Sequence, residues 1–599
     1  DTATTTIAGD VIVDGSATLY INADTTINGG DITTSGAGTT VTTSAGTPTV
    51  TMSGTGNIGG GTTPTLVFYN LNTAGSGTTS IINSATINND VSIGNGTTVS
   101  FNANTTVNGG DLVTTGTGSV NSAASSVFIN NTGNIGGGTG TIEFINLYLG
   151  NSSPGTTTLM SDVSITNILD IANSHIFNIS SNDIILGDMS YADGGNLVIG
   201  SGGVFSQDAG TTYLYDADGS YSILSNAGTV IFSNLQIGPS TPDNGTYEYE
   251  VDGEFTVLND FEMNSAGSGI HTFGMSSNDA QLTVQGSFTL GTGSIYDAAG
   301  TSPLTIGNDF TNNGTFTHNN GKVIFNDLAN TSTLTYSSAT TFGELEVTTA
   351  GKQLQFDNDA QTNVAIDLTL TGSNCSSGRI FLDSDVNDSL FELNATGAYS
   401  IDYVDVEDSH AIAALTATNS TEDDFGSNTN WTIDRGECAT ISFSISDNSI
   451  GYGELATSTD RYATGDFSGS GSEVEAHTIS ASTNAPGGYV ITVEGDSLTS
   501  YDDSYQISSI GGSNTSSTPG DEQFGIRAEL TAGSGTITAP YDGVGFAYGA
   551  TEGSPDEIAS GEGDSISSTY SIRYLGNIAP ETQASNYSTV LTYTTTGTF

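Results

Sequence analysis

Short runs of β-branched and aromatic residues alternate with polar ones along most of the chain, and clusters of Gly, Asn, Asp and Thr interrupt them every few residues. A period of two between turn residues predicts β-strands, and the 3.6-residue period of an amphipathic helix is not visible. One phrase organises the first part. Thr105–Leu112 reads Thr-Thr-Val-Asn-Gly-Gly-Asp-Leu and Thr25–Ile32 reads Thr-Thr-Ile-Asn-Gly-Gly-Asp-Ile, with shorter relatives at Thr5–Val11 and Thr86–Val91. The marker threonines are Thr6, Thr26, Thr86 and Thr106, and their steps of 20, 60 and 20 predict a short coil with a period of 20. So short a unit cannot bury its apolar side alone and must stack on the next coil.

Longer repeats support stacking. Gly54–Leu71 returns at Thr132–Leu147; the step from Asn57 to Asn134 is 77 and that from Ile27 to Val107 is 80, so about four coils are expected to repeat together with small deletions in turns. A second phrase, Phe-x-Asn-Leu, ends at Leu71, Leu147 and Leu235, and more loosely at Leu328 and Leu345. The first phrase continues in altered form from Thr256, Thr283 and Thr305, at steps of 27 and 22. The pattern predicts an all-β chain: a parallel β-helix, or β-solenoid, over residues 1–435, with alternate apolar residues pointing inward and Asn and Thr in ladders. About 18 to 20 coils would make a rod on the order of 90 Å long. Gly-Gly pairs mark corners that need positive φ.

Composition then narrows the function. Seven Lys and Arg stand against 65 Asp and Glu, a formal charge of -58, and no Lys or Arg precedes Lys322. Nothing in roughly the first half can neutralise phosphate, which argues against nucleic acid or an anionic membrane as a partner. No apolar run is long enough to span a bilayer, so membrane insertion is not expected. A chain that starts at Asp1, poor in Lys and rich in Ser, Thr and Asn, is expected to be a secreted product, extracellular or on the cell surface, with its signal removed. The regular spacing of Val, Ile and Leu argues against disorder despite the polar composition.

Two stretches carry a resemblance. Thr311–Phe325 is similar to the repeat of large bacterial surface proteins with right-handed parallel β-helices, in the adhesin and haemagglutinin-like group. Ser400–Ser409 followed by Gly426–Trp431 resembles their closing coils, which usually end in Gly-Asn-Asn-Thr-Asn-Trp; here Ser427 replaces the first Asn. The resemblance covers roughly 1–435 and implies a fold more than a function.

After Glu437 the phrases vanish and Tyr becomes frequent. Ile441–Ile445, Tyr489–Val493 and Thr589–Tyr593 read as strands between turn clusters, so residues 436–599 are expected to form an antiparallel β-sandwich, Ig-like or pilin-like. Ser480–Tyr489 and Asn577–Pro580 resemble C-terminal domains of uncharacterised secreted proteins of uncultured candidate-phylum bacteria, which implies a surface location.

Candidate chemistry is sparse. Cys375 and Cys438, the two cysteines, are expected to form a disulfide in an oxidising compartment. Asp216 with Asp218, and Asp383 with Asp385 and Asp388, alternate carboxylates as calcium loops do, though neither set completes the twelve-residue pattern with its final Glu. Solvated turn carboxylates are the competing reading; calcium is the one cofactor candidate. Glu143, Glu248, Glu250 and Glu254 lack any paired context, and His175, His271, His318, His410 and His477 stand apart from nucleophile motifs, so catalysis is not expected. The expectation is a non-enzymatic structural protein that self-associates into a filament, pilus-like fibre or surface layer. The alternative is a monomeric adhesin whose sandwich loops bind a glycan or a protein on a host or neighbouring cell.

Overall fold

A computed structural model describes residues 4–187, 196–215, 220–225, 228–238, 245–264, 269–329, 331–422, 428–485, 487–563 and 565–598. The chain divides into two units: residues 1–417 with 422–432, and residues 418–421 with 433–599. Both are built from strands.

The first unit is a parallel β-solenoid of about 18 turns. A turn has three strands and three corners, as in Asn70–Ala74, Gly77–Ile81 and Ala85–Ile87, and the next turn repeats them as Val91–Ile93, Thr97–Phe101 and Thr105–Asn108. We call these the first, second and third faces. The second and third merge into one sheet because Ser119–Asn130, Ile142–Leu149 and Val163–Ile171 run continuously round the corner between them.

Alternation places one side chain of each pair inside. On the third face Phe68, Ile87, Val107, Ile129, Leu149, Ile171 and Ile199 meet in register, and all are buried. On the second face Phe261, Phe288 and Phe310 stack with ring centroids 4.8 and 5.6 Å apart and planes within 5°. Like residues meet because each turn returns to the same face, so burial and packing act along the axis.

The register corrects the repeat arithmetic. Thr6 pairs with Thr26, and Thr86 with Thr106, as their spacing predicts. Thr26, however, continues through Thr51, Asn72 and Ser92 on the first face, whereas Thr86 lies on the third. The long step from Thr26 to Thr86 is therefore two turns and two faces. The longer repeat is displaced likewise: Gly56–Gly59 is a second-face strand and Gly133–Gly136 a first-face strand. It spans three turns and two faces, not four coils. The phrases encode a strand and a corner, and any of the three corners accepts them.

Glycine pairs at these corners serve two needs. Gly29 and Gly109 have φ of +73° and +103°. The following Gly30 and Gly110 lie against the turn below, where a Cβ would come within 2.2 Å of Gly9 C and Asn89 O. The first glycine supplies a left-handed conformation and the second a close approach.

At the closing turns Trp431 Nε1 donates to Ser409 Oγ at 3.0 Å and Asn430 Nδ2 to Ala411 O at 3.0 Å, hooking the Asn-Thr-Asn-Trp phrase onto the turn before. Gly426 and Ser427 lie outside the described residues.

In the second unit, one antiparallel sheet runs Ile441–Ile445, His477–Thr483, Ser565–Asn577, Gln523–Ala532, Phe546–Tyr548 and Gly511–Thr515. The other runs Thr536–Ile537, Asp556–Gly561, Tyr489–Glu494 and Thr592–Gly597. A core that includes Ile479, Ile491, Val493, Ile526, Ile558 and Ile572 fills the space between them. The last strand begins at Thr592, not Thr589: Gly495 packs closely on Val590 O, and the Val590 side chain is 83% exposed.

Candidate functional site

The corners of the solenoid use much of its acidic and amide content. Asp31 N–H donates to Asp10 Oδ1 at 3.0 Å and Asn57 N–H to Asp31 Oδ1 at 2.7 Å; Asp111 N–H and Asn134 N–H meet Asp90 and Asp111 at 3.0 and 2.8 Å. Each carboxylate accepts a backbone donor one turn on, a charge-assisted bond. Amide ladders run beside them, with Asn130 donating to Asn108 at 2.8 Å and Asn394 to Asn363 at 2.9 Å.

Asp383, Asp385 and Asp388, three of the residues expected to hold calcium, each make a hydrogen bond within the solenoid. Asp216 and Asp218 lie outside the described residues. Asp385 Oδ1 accepts Asn358 N–H at 3.0 Å, Asp388 donates its own N–H to Asp408 Oδ2 at 2.7 Å, and Asp383 Oδ1 accepts Ser384 N–H at 2.7 Å. Among the described residues no three His, Cys, Asp or Glu side chains form a group that could hold a metal ion. Asp383 and Asp385 accept different backbone N–H groups, and Asp388 is engaged through its own N–H.

Asp383 lines a shallow cleft on the second face, with Thr331, Gln353, Gln355, Phe381, Asp405 and Glu407. Register brings these together from successive turns: Gln353 pairs with Phe381, Gln355 with Asp383, and Phe381 with Asp405. Burial raises the Asp383 carboxyl above its ordinary range, and Asp408 adds to the effect, while Ser384 and Gln355 oppose it. Arg379 Nη1 holds Asp405 at 2.9 Å. The cleft measures about 120 Å³, room for a few waters and well below the several hundred Å³ of ordinary ligand pockets. Unequal spacing along Gln355, Asp383 and Glu407 hid this column from a fixed period.

Cys375 follows the strand Thr362–Thr371, and its carbonyl accepts Arg379 Nε at 2.8 Å. Cys438 ends the short 3-10 helix Gly436–Cys438, with its Sγ 2.7 Å from Asn419 O. His175 is buried against Thr157 Oγ1 at 2.9 Å and His477 against Tyr574 Oη at 2.7 Å; burial holds both imidazoles below their ordinary value.

The tyrosines of the second unit divide into two groups. Tyr489, Tyr541, Tyr548, Tyr570 and Tyr574 are buried, with hydroxyls paired inside, as in Tyr489 to Tyr570 at 2.8 Å and Tyr574 to Tyr593 at 2.5 Å. They account for much of the Tyr frequency as core, since a buried phenol needs a partner. Tyr501, Tyr505 and Tyr587 belong to a loop end, where Tyr505 and Tyr587 rings meet at 6.5 Å and 75°.

Compared with protein-family models, curated proteins and solved structures, the chain matches none. Among the described residues no helix is long and apolar enough to cross a membrane.

Proposed function

We propose that this chain is a non-enzymatic extracellular structural protein, the subunit of a self-assembling cell-surface filament, fibre or layer. One observation carries the reading: the hydrogen-bonded ladder of parallel strands runs turn upon turn through the first unit, with buried apolar columns inside it. Such a ladder resists bending and stretching along its axis, because every turn is bonded to its neighbours. The charge of -58 gives copies a mutual repulsion that divalent cations relieve, so calcium enters as a bridging counter-ion between copies.

Electron microscopy of the purified chain at micromolar concentration, with calcium and with a chelator, tests this reading. Regular filaments or sheets support it. Dispersed single particles in both conditions overturn it.

A further inference from the structure

A loop end of the second unit brings aromatic rings and carboxylates together. Thr499–Ser500 pairs antiparallel with Tyr587–Ser588, Tyr501 N–H donates to Asn586 O at 2.9 Å, and Ser504 Oγ to Gln583 Oε1 at 3.3 Å, so loops far apart in sequence are tied into one surface. Glu522 ties in a third segment: it accepts Tyr505 Oη at 2.5 Å and Thr582 Oγ1 at 2.6 Å. The surface is held in place before any partner arrives.

Its chemistry is specific. Tyr505 and Tyr587 stand edge to face. The hydrogen bond to Glu522 disfavours loss of the Tyr505 phenolic proton, and Glu581 adds to the effect. Partial burial, then the charges of Glu522 and Asp502, do the same for Tyr587. Partial burial pushes Glu522 up, but hydrogen bonds from the Thr582 and Tyr505 hydroxyls and from the Ser508 backbone and hydroxyl outweigh it and favour the carboxylate. Tyr501, whose N–H is bonded to the residue before Tyr587, is 87% exposed. Three arginines of this unit serve elsewhere: Arg461 donates to Tyr452 O and Ser468 O, Arg527 pairs with Glu473, and Arg573 with Glu529.

Aromatic faces beside ionised carboxylates attract organic cations through both charge and ring quadrupole. A second copy is a poor source of them, with 7 Lys and Arg in 599 residues and a charge of -58. We propose that this loop end binds a basic segment of another protein, taking a lysine or arginine side chain against Tyr505 and Tyr587, with Glu522, Asp502 and Glu581 supplying the charge and Tyr501 adding apolar contact. A structural subunit needs no such surface, so the inference stands apart from the assembly reading.

Calorimetric titration of the full chain with a short oligolysine peptide tests it. Saturable binding is expected, weakened about tenfold by Tyr587→Ala and by Tyr501→Ala. Tyr501 is so exposed that its removal leaves the fold intact, which separates lost binding from lost structure. Glu522→Gln is expected to weaken binding by a similar factor, while Glu248→Gln, which removes the same charge from the solenoid, changes it less than about twofold. Equal losses for Glu522→Gln and Glu248→Gln would mean a diffuse field and overturn the site, as would the absence of saturable binding. Capture of a neutral glycan with no response to oligolysine would also overturn it.

Discussion

Asn70 and Asn234 sit on different corners of the solenoid and make the same bond. Asn70 Oδ1 accepts Asp90 N–H at 3.2 Å, and Asn234 Oδ1 accepts Asp260 N–H at 3.3 Å. Asn70 turns the chain from the third face to the first, between Thr65–Phe68 and Asn70–Ala74. Asn234 turns it from the first to the second, between Thr229–Phe232 and Asn234–Ile237. Asn146 serves the remaining corner inside the bent strand Ile142–Leu149, accepting Asn167 Nδ2 at 3.0 Å. In these three Phe-x-Asn-Leu phrases the Phe and Leu are buried on either side of the corner, whereas Leu328 of the looser Phe325–Leu328 phrase is 60% exposed.

A shared corner position predicts a comparable cost. Asn70→Ala, Asn146→Ala and Asn234→Ala should each destabilise the solenoid by about 1–3 kcal/mol, through the lost acceptor and the donor left without it. Denaturant unfolding of the three variants checks this. A large loss at one corner with none at the others would refute the equivalence of the corners.

Gly110→Ala should be worse than a surface substitution, because its Cβ would meet Asn89 O at 2.2 Å and backbone cannot step aside as a flexible side chain can. A loss of about 1–3 kcal/mol or more is expected. Gly15→Ala, where nothing lies within 4 Å of the added carbon, isolates the cost of its φ of +64°. Thermal unfolding compares the two.

Acid should weaken both units. His175 and His477 have folded-state pKa values lowered by burial, against about 6.5 when unfolded. Below that value the unfolded chain binds more protons than the folded one, so stability present above it is lost as pH falls. His175→Gln and His477→Gln should flatten the fall in unfolding midpoint between about pH 7 and 5. An unchanged pH profile in both variants would contradict this linkage.

A bridge between Cys375 and Cys438 is the expectation for material made in an oxidising compartment. Intact mass should be two hydrogens lower than for the fully reduced chain, and a thiol reagent should label neither cysteine until reductant is added. Labelling of both in untreated protein would exclude the bridge.

Local chemistry made the solenoid legible. Alternation, Gly-Gly corners and in-register pairs such as Thr6 with Thr26, or Thr283 with Thr305, follow from residues a few positions apart and from those turns whose corners stay short. The cleft around Asp383 and the loop end around Glu522 were not legible. Each joins residues from separate segments. In the solenoid, a turn as short as that from Phe68 to Ile87 and one as long as that from Ile171 to Ile199 scramble any fixed spacing.

From the sequence alone came the strand period, the corner phrases, the acidic charge and the change of texture near residue 436. Tertiary structure decided which corner each phrase occupies, which carboxylates hook backbone and which line a surface, and which tyrosines are core. The reason is physical: a corner phrase specifies its own backbone, but three equivalent corners accept it equally, and only the summed turn lengths below it determine the face on which it lands.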